Sequence, residues 1–452
     1  MAWLAAWRAL AAKELAGAGS VDSLVERTLE GLDVPAISGD GPLGDAESGG
    51  WPGQAPFVRG SQVALNPLRP WWNFSTLLPA PALAANRQAR EELDGGAGGL
   101  ELPAAAAGWH AADLRQVLDG VHLEAMALHL EPGPEPVETV RAILELARAA
   151  RADGMGWSLG VDLLRTPAAA GIELEQAATM AAPNARTFLA DATPFHEAGA
   201  HAVTELALLL AASAESLRSL ERAGCPPDRA LTGLAWRLPM ERDFFGGIVK
   251  LRAARWLWNR MAEACAVTAV PPPFIHALTS PRTRTQSDPH TNLVRATVQS
   301  AAAIAGGADA LSVQAFDAHL QQPSALGRRL ARNLQLVLQH ESGLGAVADP
   351  AGGSPYVEAR TRALAEAAWE EFRGFERAGG LLHALRSGSL RIRLDAEWEA
   401  RRARIAAGKE IVLGVNLHAP AGAAKVAAPS PRADGIWNLP RRREEDAWQE
   451  GA

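Results

Sequence analysis

From residue 98 onward, short apolar runs alternate with longer stretches that repeat apolar residues at helical spacing. The apolar runs predict strands at 99–105, 121–130, 156–164, 186–193, 230–238, 274–280, 309–316 and 345–349. The stretches between and after them predict helices at 111–118, 137–152, 171–182, 197–223, 243–265, 289–305, 323–341 and 356–376. One helix after each strand indicates parallel strands with right-handed crossovers. Eight such units over roughly 250 residues favour an α/β protein of the (β/α)8 TIM-barrel type, with a doubly wound sheet as the alternative.

The late stretch 328–358 shows the pattern most sharply. Leu330, Leu334 and Leu338 repeat at helical spacing, and Gly343 ends the run. A short apolar step and the Gly/Pro-rich corner 349–354 follow, and a second helix comes next. The pattern predicts a helix–strand–turn–helix unit.

The segments on either side of the periodic region differ from it in composition. Residues 1–60 predict an amphipathic helix followed by an extended, Gly/Pro-rich arm that lies either on its own domain or on another subunit. Residues 61–385 form the predicted barrel, and 386–418 predict a charged helix and a short strand. The Ala/Pro-rich tail 419–452 predicts an irregular extension that is solvated or lies on a partner.

Composition narrows the class of protein. The chain has 452 residues and a formal net charge of −7, so charge gives no reason to expect nucleic acid or an anionic membrane as partner. No run of apolar residues is long enough to predict a membrane span. Two cysteines provide neither a disulfide framework nor a zinc-ligand pattern, which predicts a cytoplasmic protein.

Several segments occur in the order typical of one known family. They are LAAKELAG (10–17), LVERTLEGLDV (24–34), WPGQAPFVRG (51–60), RPW (69–71), FHEAGAHAVTELA (195–207), RDFFGGIVKLRAARWLW (242–258), the stretch 328–358 and KEIVLGVN (409–416). Together they resemble the methylmalonyl-CoA mutase family over nearly the whole chain to about residue 418. The resemblance implies a substrate barrel.

Catalytic members of that family join the barrel to a C-terminal domain that binds adenosylcobalamin, and they convert methylmalonyl-CoA to succinyl-CoA. The CoA ester threads the barrel, which shields the radicals from water. No such cobalamin domain is expected here. Asp288-Pro289-His290 and Asp317-Ala318-His319 have the spacing of a cobalt-binding Asp-x-His, but the required glycine is missing, so turn and helix-cap roles are expected.

The positions that the resemblance links to chemistry differ in this chain. Trp72 and Asn73 stand where catalytic members have seven residues that include a tyrosine, and Thr193 and Pro194 replace a Tyr-His pair. Proline has neither a side-chain proton nor a backbone N–H, so it cannot replace histidine as a donor. Phe274 replaces an arginine. Asp309 replaces a neutral glutamine, and its carboxylate is expected to repel a dicarboxylic acyl-CoA.

The residues that the chain shares with the family are of a different kind: they make turns or fill space. The shared residues expected to be scaffold are Arg59, Gly60, Lys250, Arg252, Asn333, Gln335, Glu341, Asp349, Pro350, Gly352, Gly353 and Tyr356. Tyr356 is the single tyrosine of the chain, so a displaced catalytic tyrosine is excluded.

The resemblance and the departures together imply a non-catalytic small subunit of a heterodimeric mutase. Its partner would be a large subunit that binds adenosylcobalamin and the CoA ester, and the 1–60 segment would wrap that partner. Two alternatives stay open. One is a substrate subunit of a split acyl-CoA mutase that works with a separate cobalamin-binding protein. The other is a non-enzymatic interaction or chaperone protein built on a barrel.

Overall fold

The structure is a computed structural model that describes residues 2–15, 20–37, 50–63, 65–132, 135–154, 156–164, 173, 184–320, 322–420 and 439–449. Eight parallel strands close into a barrel, with β8 paired to β1 so that Ala310 lies opposite Trp72. The strands are β1 (Trp72–Thr76), β2 (Gly99–Leu102), β3 (Ala127–Leu130), β4 (Trp157–Val161), β5 (Arg186–Asp191), β6 (Leu234–Met240), β7 (Phe274–Thr279) and β8 (Ala310–Ser312). The predicted (β/α)8 barrel is confirmed.

Helices surround the barrel and extend beyond it. In the described part of the chain they are α1 (Ala2–Glu14), α2 (Ala82–Asp94), α3 (Ala104–Ala107), α4 (Ala111–Val117), α5 (Pro136–Ala150), α6 (Thr193–Glu197), α7 (Ala202–Arg222), α8 (Pro227–Thr232), α9 (Phe244–Ala264), α10 (Thr291–Ala305), α11 (Ala325–Leu336), α12 (Pro355–Arg377), α13 (Gly380–Arg386), α14 (Ser389–Ala406) and α15 (Glu444–Gln449). Short 3-10 turns at Val21–Leu24, Leu123–Ala125 and Leu344–Ala346, a π-helical turn at Val337–Glu341 and a small hairpin of Glu26–Arg27 with Asp33–Val34 complete the set. The predicted helix 171–182 lies outside the described residues.

The predicted number of barrel strands, eight, was correct, but the predicted strands began and ended one strand too late in the chain. The first barrel strand is β1, for which no strand was predicted, and the predicted strand 345–349 is wrong. That segment makes a 3-10 turn instead, because Gly343 is left-handed (φ 63°) and Asp349 also has a positive φ of 49°. Gly345 packs so closely on Pro70 that a Cβ would approach the Pro70 ring within 2.1 Å. The chain turns here beneath the barrel without adding a strand.

Inside the barrel, the amino-terminal half is filled by apolar side chains. Phe74, Leu189 and Phe274 pack with three alanines of the neighbouring strands, and Trp72 packs against this cluster from below. The Arg186 guanidinium lies 4.9 Å from the Phe274 ring centroid. We call the cluster of Phe74, Leu189, Phe274, the three alanines and Trp72 the base layer. It closes the barrel interior at the amino ends of the strands.

Outside the barrel, alternate strand residues pack against the helices. In β6, Trp236 points into the helix layer and meets Trp258 of α9 edge-on, with ring centroids 5.1 Å apart. Both indole rings are fully buried, and Trp258 Nε1 donates to the Pro271 carbonyl at 2.8 Å. Such pairs link the strands to the helix ring.

The carboxyl-terminal region differs from the prediction. Among the described residues, the short strand expected after α14 is absent, and residues 410–417 make a turn with a single bridge between Leu413 and Leu417. The tail was expected to be irregular, but the longer of its two described parts, Leu439–Gln449, contains α15 and buries Glu444 and Glu445. Residues 421–438 lie outside the described part of the chain. We call Leu439–Gln449 the strap.

None of the described helices combines the length and the apolarity needed to cross a lipid bilayer.

Replacing Trp258 with alanine should lower the free energy of unfolding by about 3–5 kcal/mol, because the change empties a fully buried indole site and orphans the Pro271 carbonyl. Urea denaturation followed by circular dichroism measures the change. Trp51→Ala is the matched control, since Trp51 is 71% exposed and its loss should change stability by no more than about 0.5 kcal/mol. Equal effects of the two substitutions would contradict this assignment of the core.

Candidate functional site

The carboxyl ends of the strands surround a cavity of about 610 Å³, which we call the mouth cavity. TIM-barrel enzymes carry their active sites at this end. The loop after β1 supplies Leu77 and Leu78, the loop after β7 supplies Arg284, and α11 supplies Arg328 and Arg332. The strap adds Arg441, Arg442 and Arg443. The cavity is therefore formed by segments that are distant in sequence.

A buried ionic cluster forms the floor of the mouth cavity. Inward-facing positions on opposite sides of the barrel bring Arg237 of β6 onto Glu101 of β2, and the same guanidinium lies 3.3 Å from Glu131 and 3.9 Å from Asp191. Thr76 donates to the Glu101 carboxylate at 2.6 Å. Burial opposes ionisation of Glu101, but the Arg237 guanidinium outweighs it and holds the pKa of Glu101 below its ordinary value. The cluster therefore holds one guanidinium and several carboxylates in place at the floor of the mouth cavity.

Two histidines lie in the same layer of the barrel. The rings of His129 and His276 are 4.8 Å apart, and His276 shares a hydrogen bond of 2.7 Å with the Ser312 hydroxyl. Burial, together with the nearby positive charge of Arg237, lowers the pKa of His129 to about 4. Burial, His129 and Arg237 also hold the pKa of His276 well below its ordinary value. Both imidazoles are therefore neutral at pH 7.

Two groups of side chains in the described residues have the donor types that metal ions prefer. They are Glu101 with His129 and Glu131, and His196 with Glu205 and Glu241. Each group already contacts a protein cation: Arg237 binds Glu101, and Lys250 binds Glu205 at 2.7 Å. Because these cations occupy the carboxylates, the two groups are better described as ion-pair networks than as metal centres.

Of the positions predicted to have lost catalytic groups, two lie at the mouth. Thr193 and Pro194 begin α6 directly after β5, and both are buried. The Asp191 carboxylate caps this turn by accepting a bond of 2.8 Å from the Thr193 N–H. Thr193 lines the mouth cavity, and Pro194 presents only carbon atoms beyond its backbone.

The other four positions lie at the opposite end of the barrel. Trp72 and Phe274 belong to the base layer. Asn73 points outward, where its side-chain amide donates to the Gly96 carbonyl and accepts the Gly98 N–H. Asp309 precedes β8; its carboxylate accepts the Ile275 N–H at 2.8 Å and lies 3.5 Å from Arg255. Burial raises the pKa of Asp309, and Arg255 opposes the rise. Asp309 lies at the end of the barrel opposite the mouth cavity, and the repulsion of a dicarboxylic acyl-CoA by its carboxylate stays a prediction.

The scaffold residues shared with the family meet at the amino end. The Asp349 carboxylate at the 349–354 corner binds Arg252 of α9 and lies 3.6 Å from Arg59. Arg252 also binds Glu358 at 2.7 Å, and Glu358 accepts the Gly353 N–H at 2.9 Å. In TIM barrels this end contributes stability and not chemistry.

The remaining scaffold positions have separate contacts. Lys250 binds Glu205, Gln335 donates to the Phe74 carbonyl at 3.1 Å, and the Tyr356 hydroxyl accepts from Arg360 at 2.7 Å. Gly352 has no room for a Cβ, which would lie 2.3 Å from the Asp349 carboxylate, and Gly60 has a positive φ of 119°. Asn333 is half-buried, whereas Glu341 and Pro350 are exposed.

The layer of polar side chains inside the barrel mouth was not predicted from the sequence, although the sequence contains a signal for it. Glu101, His129, Arg237 and His276 each interrupt an otherwise apolar strand segment. The four residues lie on two pairs of adjacent strands, β2 with β3 and β6 with β7. Because inward-facing side chains of a closed barrel meet in layers, such interruptions predict a polar layer. Arg284 lies in a loop, and the sequence around it gave no comparable signal.

Comparison with known proteins identifies relatives over most of the chain. The family profile described as Methylmalonyl-CoA mutase matches residues 171–437. The methylmalonyl-CoA mutase small subunit of Streptomyces virginiae is 37% identical over 97% of this chain and 73% of its own length. The small subunit of Propionibacterium freudenreichii subsp. shermanii is 30% identical over 97% of this chain and 70% of its own length. A probable small subunit of Mycobacterium bovis is 33% identical over 81% of this chain, and the match spans 62% of that protein.

His129→Leu should reduce the loss of stability that accompanies acidification. Between pH 4 and about 6.5, the imidazole of residue 129 is protonated in the unfolded chain but stays neutral in the folded protein, where its pKa is near 4. The free energy of unfolding therefore decreases as pH falls through that window. For this one group the loss between pH 7.5 and pH 5 amounts to about 2 kcal/mol. Urea unfolding of wild type and variant at both pH values measures the difference.

The control for that experiment is His122→Leu, which removes an exposed histidine beside Glu124. It should leave the wild-type pH dependence unchanged. If His129→Leu and His122→Leu show the same loss between pH 7.5 and pH 5, the assignment of a neutral, desolvated imidazole at residue 129 is refuted.

Proposed function

The chain belongs to the methylmalonyl-CoA mutase family, and from that premise we propose that it is a non-catalytic small subunit of a heterodimeric, cytoplasmic mutase. Its large-subunit partner carries out the isomerisation of methylmalonyl-CoA to succinyl-CoA. The role of this chain is to stabilise the complex through a barrel that pairs with the barrel of its partner.

The mouth-facing turn at Thr193 and Pro194 is the observation that carries the proposal. The resemblance expects a Tyr-His pair at these two positions, directly after β5. Here the Thr193 backbone is fixed by Asp191, and Pro194 offers no group that could donate or accept a proton. A radical isomerisation needs polar groups that position the substrate, and this turn supplies none at residue 194.

The base layer supports the same proposal. The family resemblance implies that a CoA ester passes along the barrel axis. Phe74, Leu189 and Phe274 are at least 95% buried and pack across that axis with three alanines. Their dense packing leaves the interior apolar and filled at the amino end, so a CoA chain could enter only if these side chains moved.

Adenosylcobalamin does not fit the mouth of this barrel. The cavity of about 610 Å³ lies within the range of sites for drug-sized ligands, and adenosylcobalamin, a corrin macrocycle that carries two nucleosides, is much larger. The strap also crosses the mouth: the Arg442 N–H donates to the Glu197 carbonyl, and the Glu445 carboxylate accepts from Gln286 and Ser287. We therefore assign the cofactor to the large subunit.

The described part of the amino-terminal arm supports a partner-binding role. Phe57 and Val58 anchor this segment in the protein, with exposures of 5% and 2%. In contrast, Trp51 of the arm exposes most of its side chain to solvent, and so do Val63 and Leu68, which follow the arm in the chain. Large apolar groups presented on an anchored segment are typical interface residues, and tryptophan is the residue most often found as an energetic hot spot.

The reconstituted enzyme tests the functional proposal. The purified chain alone should show no turnover of methylmalonyl-CoA and no stoichiometric binding of adenosylcobalamin. Co-expression with a large subunit should give a 1:1 complex in size-exclusion chromatography, and activity should accompany that complex. Turnover on addition of only a small cobalamin-binding protein would instead establish the split-mutase alternative, and failure to form any complex would favour a separate interaction protein.

Trp51→Ala should weaken the complex at least tenfold, because truncation of a hot-spot tryptophan costs about 2 kcal/mol or more. Surface plasmon resonance between the purified subunits measures the dissociation constant. Ile392→Ala is the control: Ile392 is about as exposed as Trp51 but lies on α14, away from the arm. An unchanged dissociation constant for Trp51→Ala would remove the arm from the interface.

A further inference from the structure

Arg284 has an unusual environment. It follows β7, lines the mouth cavity and is only 5% exposed. A guanidinium has five N–H donors, yet the hydrogen bonds formed by this one are long: 3.2 Å to the Thr279 hydroxyl and 3.5 Å to the Ala315 carbonyl. Among the described residues, no carboxylate lies within 4.0 Å of it. Glu197 and Asp317 face it only from farther away.

A buried cation without a close counter-ion is costly, so this arrangement calls for an anion. Desolvation lowers the pKa of Arg284 to about 9, and the more distant Glu197 and Asp317 oppose the fall. At pH 7 the side chain is still charged. The mouth cavity therefore holds a positive charge whose natural complement is absent from the neighbouring side chains.

The adjacent wall of the cavity adds to this positive charge. Arg328 and Arg332 of α11 lie 3.5 Å and 2.5 Å from the same carboxylate, that of Glu92. Two guanidinium groups therefore share one negative charge. Seven arginines and four glutamates of the described residues line the cavity. Three of these arginines have carboxylates of their own: Arg237 in the acidic floor, Arg442 at Asp395 and Arg443 at Asp446. The unbalanced positive charge therefore lies on the side of Arg284 and α11.

The rest of the lining indicates the class of ligand. Leu77, Leu78, Leu278 and Val313 give the cavity apolar walls beside its arginines. Planar guanidinium groups match the oxygen geometry of carboxylate and phosphate. We propose that the mouth cavity binds a small organic anion, which has a carboxylate or phosphate head held by Arg284 and a compact apolar body against the leucines. The inference does not depend on the proposed pairing with a large subunit, because the site lies within this chain.

The test uses the full chain and measures thermal unfolding in potassium phosphate, potassium acetate and potassium chloride at equal ionic strength. Phosphate, acetate or both should raise Tm by at least 1–2 °C over chloride, which is on the order expected for a weakly bound ligand. The more effective ion identifies the type of head group. Isothermal titration calorimetry with inorganic phosphate and with acetate measures binding directly.

Arg284→Met should abolish the anion-dependent rise in Tm and should raise Tm in chloride, because it removes a desolvated charge while keeping an unbranched apolar stem. Arg284→Lys keeps a charge without the planar fork and should weaken anion binding about tenfold. The control is Arg373→Met, which removes an exposed arginine paired with Glu370 and should behave as wild type. The proposal is overturned if neither ion binds, or if both Arg284 variants keep the wild-type response.

Discussion

The buried guanidinium of Arg282 is the contact on which the architecture of the barrel mouth depends. It follows β7 and donates to the carbonyls of His196 and Ala200 after β5, at 2.6 and 3.0 Å. The guanidinium also binds the Glu241 carboxylate after β6. The backbone carbonyl of Arg282 accepts the Glu444 N–H of the strap. A fully buried charge is tolerated only when such partners surround it. One residue therefore connects three loops of the mouth with the carboxyl-terminal segment.

This network explains why the tail was mispredicted at its end. Arg441–Arg443 and the acidic residues that follow are typical of a solvated segment when they are considered alone. In the structure, Glu444 faces Arg242 and Arg401, and Glu445 accepts two backbone N–H groups. Burial opposes ionisation of Glu444, but Arg242 and Arg401 still hold its pKa below the ordinary value. Local composition cannot reveal partners that lie 43 to 202 residues away in the chain, as Arg401 and Arg242 lie from Glu444.

The sequence predicted the barrel because hydrophobic alternation is a local property that eight units repeat. One strand was misplaced because the alternation was recognised only from residue 98 onward, which left β1 out, and because the apolar segment 345–349 was counted as a strand. The close approach of Gly345 to Pro70 and Trp71 accompanies a turn in that segment instead. At the candidate site, the positions of Thr193 and Pro194 followed from their place after β5. The place of Asp309 at the amino end likewise followed from its position at the start of the strand predicted at 309–316. Its contacts with Ile275 and Arg255 could not be predicted, because they depend on how distant segments close around it.

The two ends of the barrel make opposite contributions to stability. At the amino end, the base layer and the Arg252–Asp349 pair combine dense apolar packing with ions that have close partners. At the mouth, His129 has no hydrogen-bond partner for either ring nitrogen, and Arg284 has no close counter-ion within the described residues. Apolar replacements of equal volume would stabilise such positions. The amino end therefore supplies the free energy that lets the mouth keep desolvated polar groups, and this division explains how a polar mouth persists on a barrel proposed to have lost its chemistry.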